Sequence, residues 1–281
     1  MAIDKLQEKI RKLKNPSALS FSLICDKIPE KFRNENIARA GEKYYSELLV
    51  ALSGEIPAVR FSLGGFALCP EGLAVLKNLT AKAKELGFYV LLDGPEMYTA
   101  AQAESYCALL CGENSPVSFD GILLSSFAGG DILKPFIARA EKGEKDVFAV
   151  IRTSNKTAPQ LQDLLTGGRL VHTAAADIVS RMGESILTRS GYSPVGAVAS
   201  ATAPDSLRNL RAKYKHLFLI ADGYDVPGAN AKNCAAAFDG LGHGALICSA
   251  LPADLGEDYA DGVQEYVRRI GHNLSRHINV F

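Results

Sequence analysis

The amino-acid sequence predicts a closed (β/α)8 barrel carrying one extra N-terminal helix, and three observations predict it. Short apolar runs recur eight times, amphipathic helical patterns separate them, and the 281 residues suit one such barrel, which typically needs about 250. We take 1–281 as a single barrel domain with the helix of 1–14 packed on it. A doubly wound open sheet is the alternative, but no Gly-x-Gly-x-x-Gly follows the first apolar run, so the dinucleotide version lacks its phosphate turn.

Each element has a local reason. Ile3, Leu6, Ile10 and Leu13 form an apolar stripe at helical spacing, and Asn15-Pro16 ends it because proline disfavours helix at the residue before it. Strands are expected at 18–23, 58–63, 88–92, 121–124, 147–152, 195–199, 217–221 and 244–249. Between them, 71–86 carries Leu73, Leu76, Leu79 and Leu86 and closes on Gly87 as a C-cap. Thr99 and Gln102 have capping-box spacing and open a helix that runs through Cys111. Further helices begin at Pro204-Asp205 and cover 229–238 and 258–270. Near-continuous apolar strands alternating with amphipathic helices mean a parallel sheet covered by helices.

Composition narrows the function. Lys+Arg 31 equals Asp+Glu 31, so no net field gathers nucleic acid or an anionic membrane surface. Hydrophobic content of 47% with 22% charged residues excludes disordered and disulfide-stapled classes. No apolar run approaches the roughly 18 residues that span a bilayer, and a cytoplasmic, unprocessed protein is expected. Cys25, Cys69, Cys107, Cys111, Cys234 and Cys248 show no Cys-x-x-Cys spacing, so neither zinc nor a disulfide framework is indicated. Cys107 and Cys111 share a helix face, where packing is the expected role, and Cys248 is expected as a buried thiol. His172, His216, His243, His272 and His277 are scattered and expected at the surface.

In a barrel, chemistry sits on the loops leaving the C-terminal strand ends. Those positions are Ser22, Arg60, Asp93, 123–125, 152–155, 200–202, 221–228 and 249–252. Asp93, Glu96, Asp222 and Asp225 have the oxygen chemistry of a hard-cation site, but their spacing fits no cation-binding loop. Solvated loop carboxylates are expected there, and no metal is assigned.

Arg152-Thr153-Ser154-Asn155 with Leu161-Gln162-Asp163-Leu164, Tyr89 to Asp93-Gly94, Lys134-Pro135-Phe136, Val195-Gly196-Ala197 and Gly223-Tyr224 together resemble the longer bacterial form of orotidine 5'-phosphate decarboxylase. The likeness runs from Asn15-Pro16 to the final helix. It implies a barrel, a homodimer with active sites at the dimer interface, and production of uridine monophosphate without any cofactor. That reaction leaves a carbanion at C6 of the pyrimidine, so the family places a lysine there as fixed cation and proton donor, within an Asp-x-Lys-x-x-Asp motif.

Laid on this chain the motif reads Asp93-Gly94-Pro95-Glu96-Met97-Tyr98. Asp93 survives, Pro95 stands at the lysine position and Tyr98 at the second aspartate. The second-strand lysine falls on Arg60, and the first-strand aspartate, aligned without a gap, falls on Ser22. Arginine stabilises charge but does not release a proton at working pH. Asp93 and Arg60 are thus the remaining catalytic candidates. The resemblance implies substrate binding by Thr153, Ser154, Gly223, Tyr224, Gly228 and Ser249. In the phosphate-gripping segments Pro227 replaces a glutamine and Leu251 an arginine, while Asp222 and Asp225 add negative charge. Arg152 to Asn155 is either a retained base pocket or a turn that the barrel itself requires.

The expectation is a catalytically degenerate relative that acts as a binding barrel or as a partner subunit, either a homodimer or a heterodimer with an authentic decarboxylase, with a small-molecule ligand at the barrel mouth. The alternatives are a decarboxylase working through a rearranged Arg60–Asp93 site and a new ligand or metal-assisted reaction at the mouth.

Overall fold

In the computed structural model, which describes residues 1–23, 28–32 and 36–278, eight parallel strands close into a barrel. They are β1 Ser17–Phe21, β2 Ala58–Ser62, β3 Tyr89–Asp93, β4 Gly121–Ser125, β5 Asp146–Val150, β6 Ser193–Ser200, β7 Leu217–Asp222 and β8 Ala245–Ala250. Their order around the barrel is the chain order, and β8 closes on β1 through Ser17 opposite Ile247. The expected strands match these within a few residues at each end. The fold is therefore the (β/α)8 barrel.

The helices are α1 Ala2–Leu13, α2 Ile37–Leu52, α3 Leu63–Ala67, α4 Gly72–Glu85, α5 Ala100–Cys111 and α6 Lys134–Glu141, followed by α7 Pro159–Gln162, α8 Val171–Gly183, α9 Pro204–Lys213, α10 Ala231–Cys234 and α11 Tyr259–Ser275. The capping box at Thr99 forms as expected, with Thr99 Oγ1 accepting from the Gln102 amide and Gln102 Oε1 accepting from the Thr99 amide. The helix expected over 229–238 is shorter: α10 passes into a 3-10 turn at Ala235–Ala237.

Between α7 and α8 a two-stranded antiparallel hairpin pairs Leu165 with Leu170, an excursion that the sequence pattern did not show. Its strands are two residues each, too short for an alternating pattern to emerge.

Side-chain size closes the barrel interior. Phe148 on β5 faces Gly121 and Gly196 on the neighbouring strands, where a Cβ would come within 2.8 and 2.7 Å of its ring. Small residues beside a large one keep the interior filled without a clash. At the N-terminal end of the barrel, α1 buries Ile3, Leu6 and Ile10 completely. Asp4 accepts from the Ser190 amide and Gln7 from the Gly244 amide, so polar groups of α1 satisfy the loops that lead into β6 and β8. With this end covered, the C-terminal mouth is where a ligand can enter.

Of the histidines expected at the surface, His172 is a correction: it is 4% exposed. Its position on the inner face of α8 lets Nδ1 meet the Gln162 carbonyl at 2.9 Å and Nε2 meet Ser206 Oγ at 3.2 Å, so both ring nitrogens are satisfied indoors. Cys107 and Cys111 are buried on one face of α5, as packing required. Cys25 lies outside the described residues.

Candidate functional site at the barrel mouth

Arg60 points into the barrel from β2, and two strand ends supply its counter-ions. Its Nε donates to Asp93 Oδ1 on β3 at 2.7 Å, and its Nη1 donates to Asp222 Oδ1 on β7 at 2.6 Å. The Arg60 side chain is 15% exposed, with Asp93 and Asp222 at 28% and 31%. Burial works against the charge of Arg60, but Asp222 and then Asp93 outweigh it, so its pKa rises and the guanidinium stays charged. Burial raises the pKa of Asp93 above the ordinary carboxylate value, with Arg60 pulling the other way. The sequence expectation that Asp93 and Asp222 are solvated loop carboxylates is therefore corrected: the barrel turns both inward onto one cation.

Cys248 on β8 lies against this cluster, fully buried, and burial pushes its thiol up to about 12. A thiol held protonated is no nucleophile.

Beside the triad a cavity of about 430 Å³ opens, lined among others by Ser62, Pro95, Glu96, Ser125, Phe127 and Thr153 along with Arg60 and Asp93. Among the described residues no lysine lines it. Pro95 stands in the wall where the resemblance placed a lysine. Tyr98 leaves the site: it is 76% exposed, and its amide donates to Gln102 Oε1 at the start of α5. Ser22, the other replaced position, packs with its Oγ over Gly65 in α3, and its carbonyl accepts from Tyr45. Among the described residues no group of three or more His, Cys, Asp or Glu side chains is arranged to hold a metal ion.

The segment 152–155 is held by its own downstream partner. Arg152 donates to Asp163 through Nε at 3.0 Å and Nη2 at 3.1 Å, while Gln162 accepts from the Thr153 amide and donates to Thr153 Oγ1. These bonds explain why Arg-Thr-Ser and Gln-Asp occur together: one fixes the other. They also show that Arg152 and Thr153 serve the loop. Ser154 takes no part in them and stands against Gly223, where a Cβ would come within 3.0 Å of it. Two expected binding residues are thus brought together by the β5 and β7 loops, and Gly223 permits it with φ +83.

The remaining expected binding residues turn elsewhere. Ser249 is 1% exposed, and its Oγ shares a 2.6 Å hydrogen bond with the Tyr266 hydroxyl. Asp225 Oδ1 accepts from the Ala250 amide at 2.8 Å and from Ser249 Oγ. A carboxylate of the chain itself thereby occupies the backbone donor at the end of β8. Tyr224 is half-buried with its amide on the Cys248 carbonyl, and Gly228 is exposed with φ +98. Sequence reasoning placed Asp222 at a strand end without seeing its partner, because Arg60 lies 162 residues away.

The model of the orotidine 5'-phosphate decarboxylase / HUMPS family matches residues 64–237. The chain belongs to this family. An orotidine 5'-phosphate decarboxylase of Rhodopirellula baltica is 31% identical over 232 residues, covering 81% of this chain and 76% of that protein. One from Clostridium perfringens is 27% identical over 254 residues, covering 89% and 87%. Among solved structures, the OMP decarboxylase of Leishmania donovani superposes with a TM-score of 0.75 at 23% identity over 98% of this chain and 99% of that one. The orotidine 5'-monophosphate decarboxylase of Plasmodium berghei does so at 0.77 and 12% identity, over 97% and 98%. At such identities these structures speak for the barrel alone. Family membership makes Arg60, Asp93 and Pro95 the positions to judge.

Proposed function

We propose that this member of the decarboxylase family no longer decarboxylates orotidine 5'-phosphate and uses its barrel mouth for binding. One observation carries the reading: Arg60, the cation that lines the cavity among the described residues, is spent on Asp93 and Asp222. Decarboxylation at C6 needs a positive group aimed at the developing carbanion and a proton delivered to it. A guanidinium keeps its proton at any working pH, Pro95 has none to give, and among the described residues no lysine lines the cavity. The second support is Asp225, which fills the Ala250 amide at the mouth with an internal carboxylate where an anionic ligand would be gripped.

The test is carbon dioxide release from orotidine 5'-phosphate by protein purified from a host lacking its own decarboxylase. Release at background level is expected, and sustained turnover would overturn the reading. On the same lineage we place the protein in the cytoplasm as a homodimer, or as the partner of an authentic decarboxylase, with no metal or cofactor. Among the described residues no helix is long and apolar enough to cross a membrane. Co-expression with an active decarboxylase followed by size-exclusion chromatography separates the two assemblies.

A further inference from the structure

The Arg60 cluster holds two carboxylates around one guanidinium, and among the described residues Arg60 is the cation that lines the cavity beside it. Glu96 is exposed at the cavity wall, and Asp225 lies three residues past the end of β7. Arg152, just past the end of β5, is 7% exposed and bound to Asp163. Arg60 offers Nε to Asp93 and Nη1 to Asp222, each through Oδ1 only, so the Oδ2 atoms add further acceptor capacity at the mouth.

These carboxylates differ in what they decide. Asp93 adjoins Arg60 on the neighbouring strand, and Ser62 pairs with it in the β2–β3 register. Asp222 reaches across from β7, and its side chain is the more exposed of the two, at 31%. An incoming anion would have to displace Asp222 from Arg60 or accept its repulsion at short range.

We infer that the mouth is a receptor for ligands without net negative charge, and that Asp222 is the specificity-determining residue that turns anions away from Arg60. The inference rests on the non-catalytic reading above and deepens it by assigning the ligand class: small uncharged or cationic molecules that carry hydrogen-bond donors for carboxylate oxygens. The internal carboxylate of Asp225 on the Ala250 amide acts in the same sense at the edge of the mouth.

Orotate and uracil differ by one carboxylate, so the ratio of their affinities isolates charge from ring recognition. NMR titration of isotopically labelled protein with each compound, following the Arg60 Nε–H resonance, measures that ratio in the unaltered protein and in Asp222→Asn. Uracil should bind better than orotate in the unaltered protein, and Asp222→Asn should shift the ratio toward orotate by roughly tenfold or more, as removal of a like charge within hydrogen-bond range implies. An unchanged ratio, a preference for orotate in the unaltered protein, or absence of binding by either compound in both proteins would overturn the inference. Asp222→Ser supplies the same measurement should the asparagine variant fail to fold. Carbon dioxide release by the unaltered protein would instead sink the non-catalytic reading, so the two failures are told apart.

Discussion

Arg60 Nη1 lies 2.6 Å from Asp222 Oδ1, a bond that ties β2 to β7 across the barrel mouth. In the closed sheet these strands are not neighbours, since β1 and β8 stand between them. The pair is therefore a cross-brace as well as an electrostatic lock. Its consequences reach both stability and chemistry.

Truncating Arg60 leaves two inward-turned carboxylates without their cation. Arg60→Met should destabilise the protein by about 3–5 kcal/mol, the usual consequence of breaking a buried ion cluster from one side. Because the Asp93 and Asp222 carboxylates are partly exposed, the lower part of that range is expected. Urea denaturation measures it, and a loss below about 0.5 kcal/mol would show that the cluster does not brace the barrel.

Replacing Pro95 by lysine supplies an ammonium in the cavity wall but leaves Asp222 on Arg60 and Asp225 on the Ala250 amide. The single variant Pro95→Lys should release no carbon dioxide from orotidine 5'-phosphate above background. Remote binding energy and preorganised charge supply most of such an enzyme's rate, and one lysine restores neither. A coupled gas-release assay decides this.

Asp146 is 2% exposed near the N-terminal end of the barrel, where burial raises its pKa to about 7 although the Tyr89 hydroxyl donates to it at 2.7 Å. Its folded value lies above the unfolded one, so the native state binds the extra proton between roughly pH 4 and pH 7. Stability from this group is complete at the acid end and is lost as pH rises toward neutrality, by on the order of a few kcal/mol. Asp146→Asn should remove that slope and raise the melting temperature at pH 8 relative to the unaltered protein. Thermal melts across pH 5–8 test it, and parallel pH profiles for both proteins would refute it.

Ile10 is fully buried in α1. Ile10→Ala should cost about 2–5 kcal/mol by leaving a cavity under the barrel, with the spectroscopic signature of the folded barrel intact under native conditions. Guanidinium unfolding reads the loss. A change within about 0.5 kcal/mol would mean that α1 contributes little to holding the barrel closed.

Much of the architecture was legible because its causes are local. The Thr99–Gln102 box spans three residues, the apolar stripe of α1 recurs every three or four, and an apolar strand next to an amphipathic helix already implies parallel pairing. Family likeness was legible for a related reason: Arg152 and Thr153 are held by Gln162 and Asp163 only about ten residues downstream, so that motif keeps its spacing as a self-contained unit. The Leu165–Leu170 hairpin was not legible, because two-residue strands carry no period.

By itself the sequence determined the barrel, the order of its strands, and the absence of a lysine at position 95. Only the tertiary structure decided what Arg60 does, that Asp222 and not solvent faces it, that Ser249 and Tyr98 turn away from the cavity, and that His172 is buried. The reason is that periodicity and capping act over a single helical turn or strand pleat, whereas neutralisation of a charge depends on Coulomb energy over a few ångströms between strands far apart in the chain. Whether a carboxylate at a strand end meets water or a guanidinium is settled when the sheet closes.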